Sequence, residues 1–283
     1  MNKQPKTYVL SLDSRCNQRC LICMKKDNIS QGRTLTLNKV KSEIIKAKKE
    51  GYDHIDFFGG EPLSYTFITT AIQFANKLSL SCFLATNATK LCSQSFARYF
   101  FDKTKIKEVR TTLYSHRSTL HDRLTQTKNS HKKTVTGIKN ILKFGKTGLS
   151  VNVVINSLNF RELPQVVDFI YDLGVRNMTF SGLTFDGEIL NHTRLYADLT
   201  KIKPYLIKAV KKSLQMGLQV RLIKLPACIL KKSDRHPSRY IFENNRNFLK
   251  LRSCLLCASS YYCPGVDFYQ VSAFGIPTFL KNV

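Results

Sequence analysis

Three thiols, Cys16, Cys20 and Cys23, fall in the spacing CxxxCxxC just after the apolar run Tyr8-Val9-Leu10-Ser11-Leu12. A loop that short can wrap around a single metal centre. Structural zinc closes with four protein ligands, and an iron–sulfur cluster normally takes four cysteines. Three leave one position open for a ligand that is not protein. A second group stands toward the other end: Cys228, the pair Cys254-Leu-Leu-Cys257, and Cys263. Four thiolates suit either zinc or a fully ligated [4Fe–4S] cluster. Of the nine cysteines only Cys82 and Cys92 stand apart. Cys82 reads as a small core residue in a strand-like run and Cys92 as the opening of a helix; neither is assigned a role.

The elements that must position these groups alternate along the chain. Strands are expected at 7–12, 54–58, 81–85, 107–113, 149–155 and 176–181, and helices at 36–50, 66–79, 93–102, 130–144, 164–173 and 203–216. Thr36 is the expected N-cap of the first helix, with Val40, Ile44 and Ala47 at helical spacing and Gly51 past its end. Pro164 falls in a first helical turn, where proline is tolerated. Six βα units imply parallel strands joined by right-handed crossovers. The expected fold class is α/β: a (β/α)6 partial TIM barrel over residues 1–217, with a small cysteine-rich C-terminal extension over 218–283.

In such barrels the chemistry sits at the carboxyl ends of the strands. The cysteine loop follows the first strand, Gly59-Gly60-Glu61-Pro62 the second, Asn87 the third and Tyr114-Ser115 the fourth. After Gly217 comes a seventh apolar run, Leu218–Leu225, and then a basic, Asn-rich region with little apolar periodicity. That tail is too short to bury a conventional core, and a metal centre would cross-link it.

With 283 residues the chain has room for one large barrel or two smaller domains. Nine cysteines without a secretion signal argue for metal or redox chemistry rather than a disulfide framework. No apolar stretch reaches membrane-spanning length, so no membrane partner and a cytoplasmic location are expected. The net charge of +26 is uneven: residues 103–146 hold twelve Lys/Arg against two acids, and 201–253 hold fourteen against two. On the helix from Ser130, Lys132, Lys139 and Lys143 share a stripe, with Val135, Ile138 and Leu142 expected on the buried face. Such a surface is either merely solvated or a face for an anionic partner, an acidic peptide or nucleic acid.

CxxxCxxC followed some forty residues later by Gly-Gly-Glu-Pro resembles the radical S-adenosylmethionine (radical SAM) enzymes, over most of residues 7–220. The resemblance implies a [4Fe–4S] cluster on Cys16, Cys20 and Cys23, its open iron chelated by the amino and carboxylate groups of SAM. One-electron reduction would then cleave SAM to methionine and a 5′-deoxyadenosyl radical that abstracts hydrogen from a substrate. It also implies that the Gly59-Gly60 segment hydrogen-bonds the methionine amino group, with Glu61 as a charged partner. Asn87 looks like the family's Thr-Asn-Gly turn, with Ala88 in place of the glycine. Thr112 or Ser115 would contact the ribose or carboxylate, and Asn152 is a further candidate. His121-Asp122 resembles a His-Asp of peptide-modifying members, but Thr125 stands where many of those carry an arginine, and Arg123 lies two residues earlier.

Cys228, Cys254, Cys257 and Cys263 resemble the auxiliary-cluster "twitch" extension, a shortened SPASM domain, which implies a second [4Fe–4S] cluster, with zinc as the alternative. The fullest resemblance is to maturases of ribosomally made peptides, including those of His-Xaa-Ser systems. The expected substrate is therefore a peptide or protein, with an external one-electron donor such as flavodoxin or ferredoxin. Two other substrate classes stay open: a small molecule undergoing dehydrogenation, and a nucleic acid, for which the basic segments are the only argument.

Overall fold

The computed structural model describes residues 5–24, 35–241 and 247–281. The chain divides into two compact units, residues 1–112 with 125–150, and residues 113–124 with 151–283. The first carries β1 (Thr7–Ser11), α1 (Leu37–Lys49), β2 (His54–Phe58), α2 (Ile68–Lys77), β3 (Ser81–Ala85), α3 (Gln94–Lys103), β4 (Ile106–Thr112) and α5 (Ser130–Phe144). The second carries α6 (Leu163–Asp172), β6 (Asn177–Ser181), α7 (Leu199–Gln215) and β7 (Gln219–Ile223), and α4 (Ser118–Thr125) and β5 (Gly148–Val154) cross the division.

In the first unit β1 pairs with β2, β2 with β3 and β3 with β4, all parallel. In the second, β6 pairs with β7, and β7 with the two-residue β8 (Tyr240–Ile241), also parallel. Parallel strands in chain order with helices between them are the βα alternation expected for the α/β partial-barrel class. The tail adds β9 (Phe248–Leu249) paired antiparallel to β10 (Val266–Asp267), then α8 (Phe268–Phe274) and α9 (Thr278–Lys281).

Local chemistry sets the helix boundaries. The Thr36 side chain accepts from the Lys39 amide at 3.3 Å, and Gly51 takes φ +76° after the last turn of α1. Val40, Ile44 and Ala47 are buried at 1%, 0% and 0% exposure, each apolar side chain contributing on the order of 1–3 kcal/mol by leaving water. Lys46, Lys48 and Lys49 face the negative end of the helix dipole. Cys82 is a fully buried core thiol whose pKa burial pushes up to about 12. Cys92 closes a single 3-10 turn, and the Ser93 hydroxyl caps α3 instead.

On α5 the expected buried face is turned. Leu142 is 44% exposed and Val135 half-buried, while Thr134, Gly137, Ile138 and Ile141 face inward. The reason is Gly137: a Cβ there would sit 2.1 Å from the Ala88 carbonyl oxygen, so this glycine lets the helix backbone lie against the turn after β3. Lys132, Lys139 and Lys143 are exposed as expected. Of the second basic segment, residues 242–246 lie outside the described residues.

Candidate active site

In the first unit the cysteine loop is stitched onto the end of β2. Leu12 donates to the Phe58 carbonyl at 2.7 Å, Gly60 to that of Asp13 at 2.9 Å and Glu61 to that of Arg15 at 2.8 Å. The two glycines make this possible. A Cβ on Gly60 would stand 2.1 Å from the Arg15 carbonyl oxygen, and one on Gly59, at φ +149°, would stand 2.7 Å from that of Leu12. The Tyr65 hydroxyl donates to Asp13, and the Arg15 guanidinium lies over the Tyr65 ring at 5.0 Å.

Glu61 does not reach outward. It is fully buried, with Oε1 accepting from the Thr86 hydroxyl at 2.6 Å and the Leu63 amide at 2.9 Å, and Oε2 from the Asn87 amide at 2.7 Å. Burial pushes its pKa up, and these three donors pull the other way. The carboxylate expected as a charged partner is thus occupied within the fold, where it pins the Thr86-Asn87 turn to the end of β2.

Asn87 is brought to the cysteine loop. Its amide nitrogen donates to Asn17 Oδ1 at 2.8 Å and lies 3.8 Å from Cys16 Sγ; its oxygen accepts from the Thr89 hydroxyl at 2.6 Å. Asn17 closes the ring by donating to Thr89 Oγ1 at 2.8 Å. The motif reading missed Asn17 and Thr89, and nothing in their local sequence pairs them. Cys16 is exposed and accepts from the Gln18 amide at 3.4 Å, while Cys20 and Cys23 are half-buried.

In the second unit Ser115 is fully buried, its hydroxyl donating to Glu162 at 3.2 Å and accepting from the Arg117 amide at 2.9 Å. Arg117 pairs with the same carboxylate. The hydroxyl expected to contact a cofactor ribose or carboxylate is here engaged within the fold. Asn152, half-buried, accepts from Ser181 at 2.6 Å. His121 is 1% exposed and its Nδ1 accepts from the Tyr114 amide at 3.3 Å, a structural use. Thr112 is half-buried at the end of β4, Asp122 is half-buried and Arg123 is exposed. Thr125, at the position of the missing arginine, is buried against Ser130 at 2.6 Å within the first unit.

The C-terminal cysteines do converge. Cys228, Cys254, Cys257 and Cys263 line one small cavity, walled by Pro226, Leu251, Val266 and Leu280. Cys263 Sγ accepts from the Ala227 amide at 3.1 Å and the Gly265 amide at 3.4 Å. Lys250 ties the loop by donating to the carbonyls of Ser260 at 2.6 Å and Cys263 at 2.5 Å. Burial and the neighbouring thiols push the Cys228 pKa up to about 12, and a bound metal would reverse that. No group of three or more His, Cys, Asp or Glu among the described residues stands in the geometry to clamp one metal ion. A polynuclear cluster holds its thiolates farther apart than a single ion does, and amide N–H donors reach one sulfur in each cysteine group, Cys16 and Cys263. No helix among the described residues is long and apolar enough to cross a membrane.

The comparisons agree with this geometry. The chain is 24% identical over 255 residues, 87% of its length and 80% of the relative's, to a protein of Methanocella arvoryzae described as "Probable GTP 3′,8-cyclase". It is 22% identical over 189 residues to the PqqA peptide cyclase of Bradyrhizobium diazoefficiens, covering 66% of this chain and 49% of that protein. Among solved structures, Streptococcus suis SuiB bound to its precursor peptide SuiA matches at TM-score 0.62 with 17% identity over 77% of this chain. The enzyme anSMEcpe with AdoMet and a peptide matches at TM-score 0.62 with 16% identity, covering 77% of this chain and 64% of that one. The chain spans about half the length of SuiB, 48%. These likenesses show the radical SAM partial-barrel fold, and the family implies a [4Fe–4S] cluster and SAM as cofactors. The model of the radical SAM superfamily matches residues 11–170, more than half of the sequence, and the chain belongs to that superfamily as one of its enzymes.

Proposed function

We propose that this radical SAM enzyme modifies a peptide or protein, with its SAM-binding cluster on Cys16, Cys20 and Cys23 and an auxiliary [4Fe–4S] cluster on Cys228, Cys254, Cys257 and Cys263. When bound, the first cluster supplies the electron that cleaves SAM and so releases the radical that takes hydrogen from the substrate. The chain's own residues do the positioning. Gly59 and Gly60 let the cysteine loop close on the end of β2, and Glu61 acts through Asn87, whose amide stands beside Cys16. Thr112 and Asn152 remain the half-buried polar groups for further cofactor contacts.

One observation carries the reading: four cysteines, not three, line the C-terminal cavity. Four thiolates saturate a cubane, so the second centre keeps no iron for a substrate and fits electron transfer or structural support. The basic helix faces suit an acidic peptide and an acidic electron carrier such as flavodoxin or ferredoxin. The likeness to the PqqA peptide cyclase supports a peptide substrate, and the residues from 218 onward are then an auxiliary-cluster extension.

A second reading, a nucleotide substrate, is favoured by the longer match to the GTP 3′,8-cyclase relative. Anaerobic reconstitution with iron counted per chain decides the metal content: about eight irons support two clusters, and about four with retained zinc refute the auxiliary one. SAM cleavage on reduction, followed by mass spectrometry of the peptide encoded by a short reading frame beside the gene and of GTP, decides the substrate. A mass change in the peptide supports the first reading, and one in GTP replaces it.

A further inference from the structure

Gln18 stands between Cys16 and Cys20 in the cysteine loop, and nothing above gives its side chain a task. Both chain neighbours, Asn17 and Arg19, are exposed, yet Gln18 is only 9% exposed. Its backbone amide donates to Cys16 Sγ at 3.4 Å. Its side-chain oxygen, Oε1, accepts from the Cys20 thiol at 3.5 Å. The other end of the same amide, Nε2, is buried with no hydrogen-bond partner among the described residues. An NH2 group kept from water and left idle destabilises a fold, and native structures rarely tolerate one without a use.

Iron changes what Cys20 can offer. It binds a cysteine as the thiolate: the S–H bond breaks, an S–Fe bond forms and the proton leaves to solvent. The sulfur then accepts hydrogen bonds and has none to give, so Oε1 would face a negatively charged acceptor. Half a turn of the amide about its last torsion, which is broad and two-fold in glutamine, exchanges its two ends. Nε2 then stands where Oε1 stood, within reach of Cys20 Sγ. One movement relieves both the opposed oxygen and the idle donor. Cys16 needs no such rearrangement, because a backbone amide already donates to its sulfur.

We propose that Gln18 is a positioning residue for the SAM-binding cluster, its side-chain NH2 donating to the Cys20 sulfur once iron is bound and raising the reduction potential of the cluster. This role rests on the assignment of that cluster to Cys16, Cys20 and Cys23, and deepens it. Reduction adds negative charge, part of it on sulfur, so an N–H donor holds the reduced state more strongly than the oxidised one. Hydrogen bonds to the sulfurs are among the levers that set the potential of an iron–sulfur centre.

The test is an EPR-monitored potentiometric titration of the anaerobically reconstituted full chain, in which the signal of this cluster is identified by its change on adding SAM. Gln18→Leu keeps the bulk of the side chain without a donor. Its midpoint should be more negative, so that at a fixed potential the ratio of reduced to oxidised cluster falls several-fold. A second readout needs no variant: protein made with glutamine carrying heavy nitrogen in its side-chain amide should show coupling of that nitrogen to the reduced cluster by electron–nuclear double resonance. An unchanged midpoint in Gln18→Leu overturns the proposal. If Gln18→Leu takes up no iron, absence of the nitrogen coupling in the unaltered protein overturns it instead. A signal indifferent to SAM removes the cluster assignment, whereas a SAM-responsive signal with an unchanged midpoint removes the role of Gln18 alone.

Discussion

The loop holding Cys16, Cys20 and Cys23 and the cavity lined by Cys228, Cys254, Cys257 and Cys263 put the same side chain in opposite surroundings. Around the first are Asn17, Gln18 and Asn87, and Cys16 is exposed. Around the second are Pro226, Leu251, Val266 and Leu280, and Cys228 and Cys263 are buried. The polar, partly open loop suits a centre that must exchange a ligand. The apolar cavity, with four thiols in its lining, would suit one that must not. Their supports differ as well: a buried carboxylate, Glu61, braces the first, and a lysine on two carbonyls, Lys250, braces the second.

The sharpest way to break this comparison is to remove one thiol from each. Cys20→Ala should abolish SAM cleavage and lower the iron content from about eight to about four per chain. Cys228→Ala should lower iron by the same amount yet leave reductive SAM cleavage measurable. If both variants lose cleavage equally, the two centres are not separate in role.

Next in size is Glu61→Gln. One of its three donors would then face an amide NH2 in a buried site, so a loss of about 2–3 kcal/mol in urea unfolding of the metal-free protein is expected. Lys250→Met removes bonds at a more exposed site and should cost about 1 kcal/mol, with faster loss of iron to a chelator from the C-terminal centre only. A chelator that strips both centres at unchanged relative rates would count against Lys250 as its brace.

The smallest effect is one of pH. The Cys82 thiol, buried in the core of the first unit, has its pKa raised from 9.0 to about 12. The folded state therefore holds that proton more tightly than the unfolded chain does. Its contribution is complete below pH 9 and is lost as pH rises toward 12. Unfolding midpoints of Cys82→Ala should fall less steeply over that range than those of the unaltered protein.

Strands and helices were legible because periodicity and caps are local signals: Val40, Ile44 and Ala47 face inward as their spacing requires. The placement of the glycine pair and Asn87 at strand ends was legible from the fold rule alone. What the sequence concealed depends on partners far along the chain. Glu61 looks like an exposed ligand until Thr86 and Asn87 are seen to surround it, and Ser115 until Glu162 is. Asn17 and Thr89 carry no signature without Asn87 between them.

The contact between α5 and the turn after β3 limits which substitutions this chain accepts, and in what order. Ala88 holds a left-handed backbone, φ +60°, with its methyl fully buried against Gly137. Replacing it with glycine relieves that backbone and leaves only a methyl-sized gap. Position 137 has no such freedom, because the obstacle to a side chain there is the carbonyl oxygen of residue 88, which every amino acid possesses. The two positions therefore form a one-way gate in sequence space, in which residue 88 can vary but cannot make room for its neighbour.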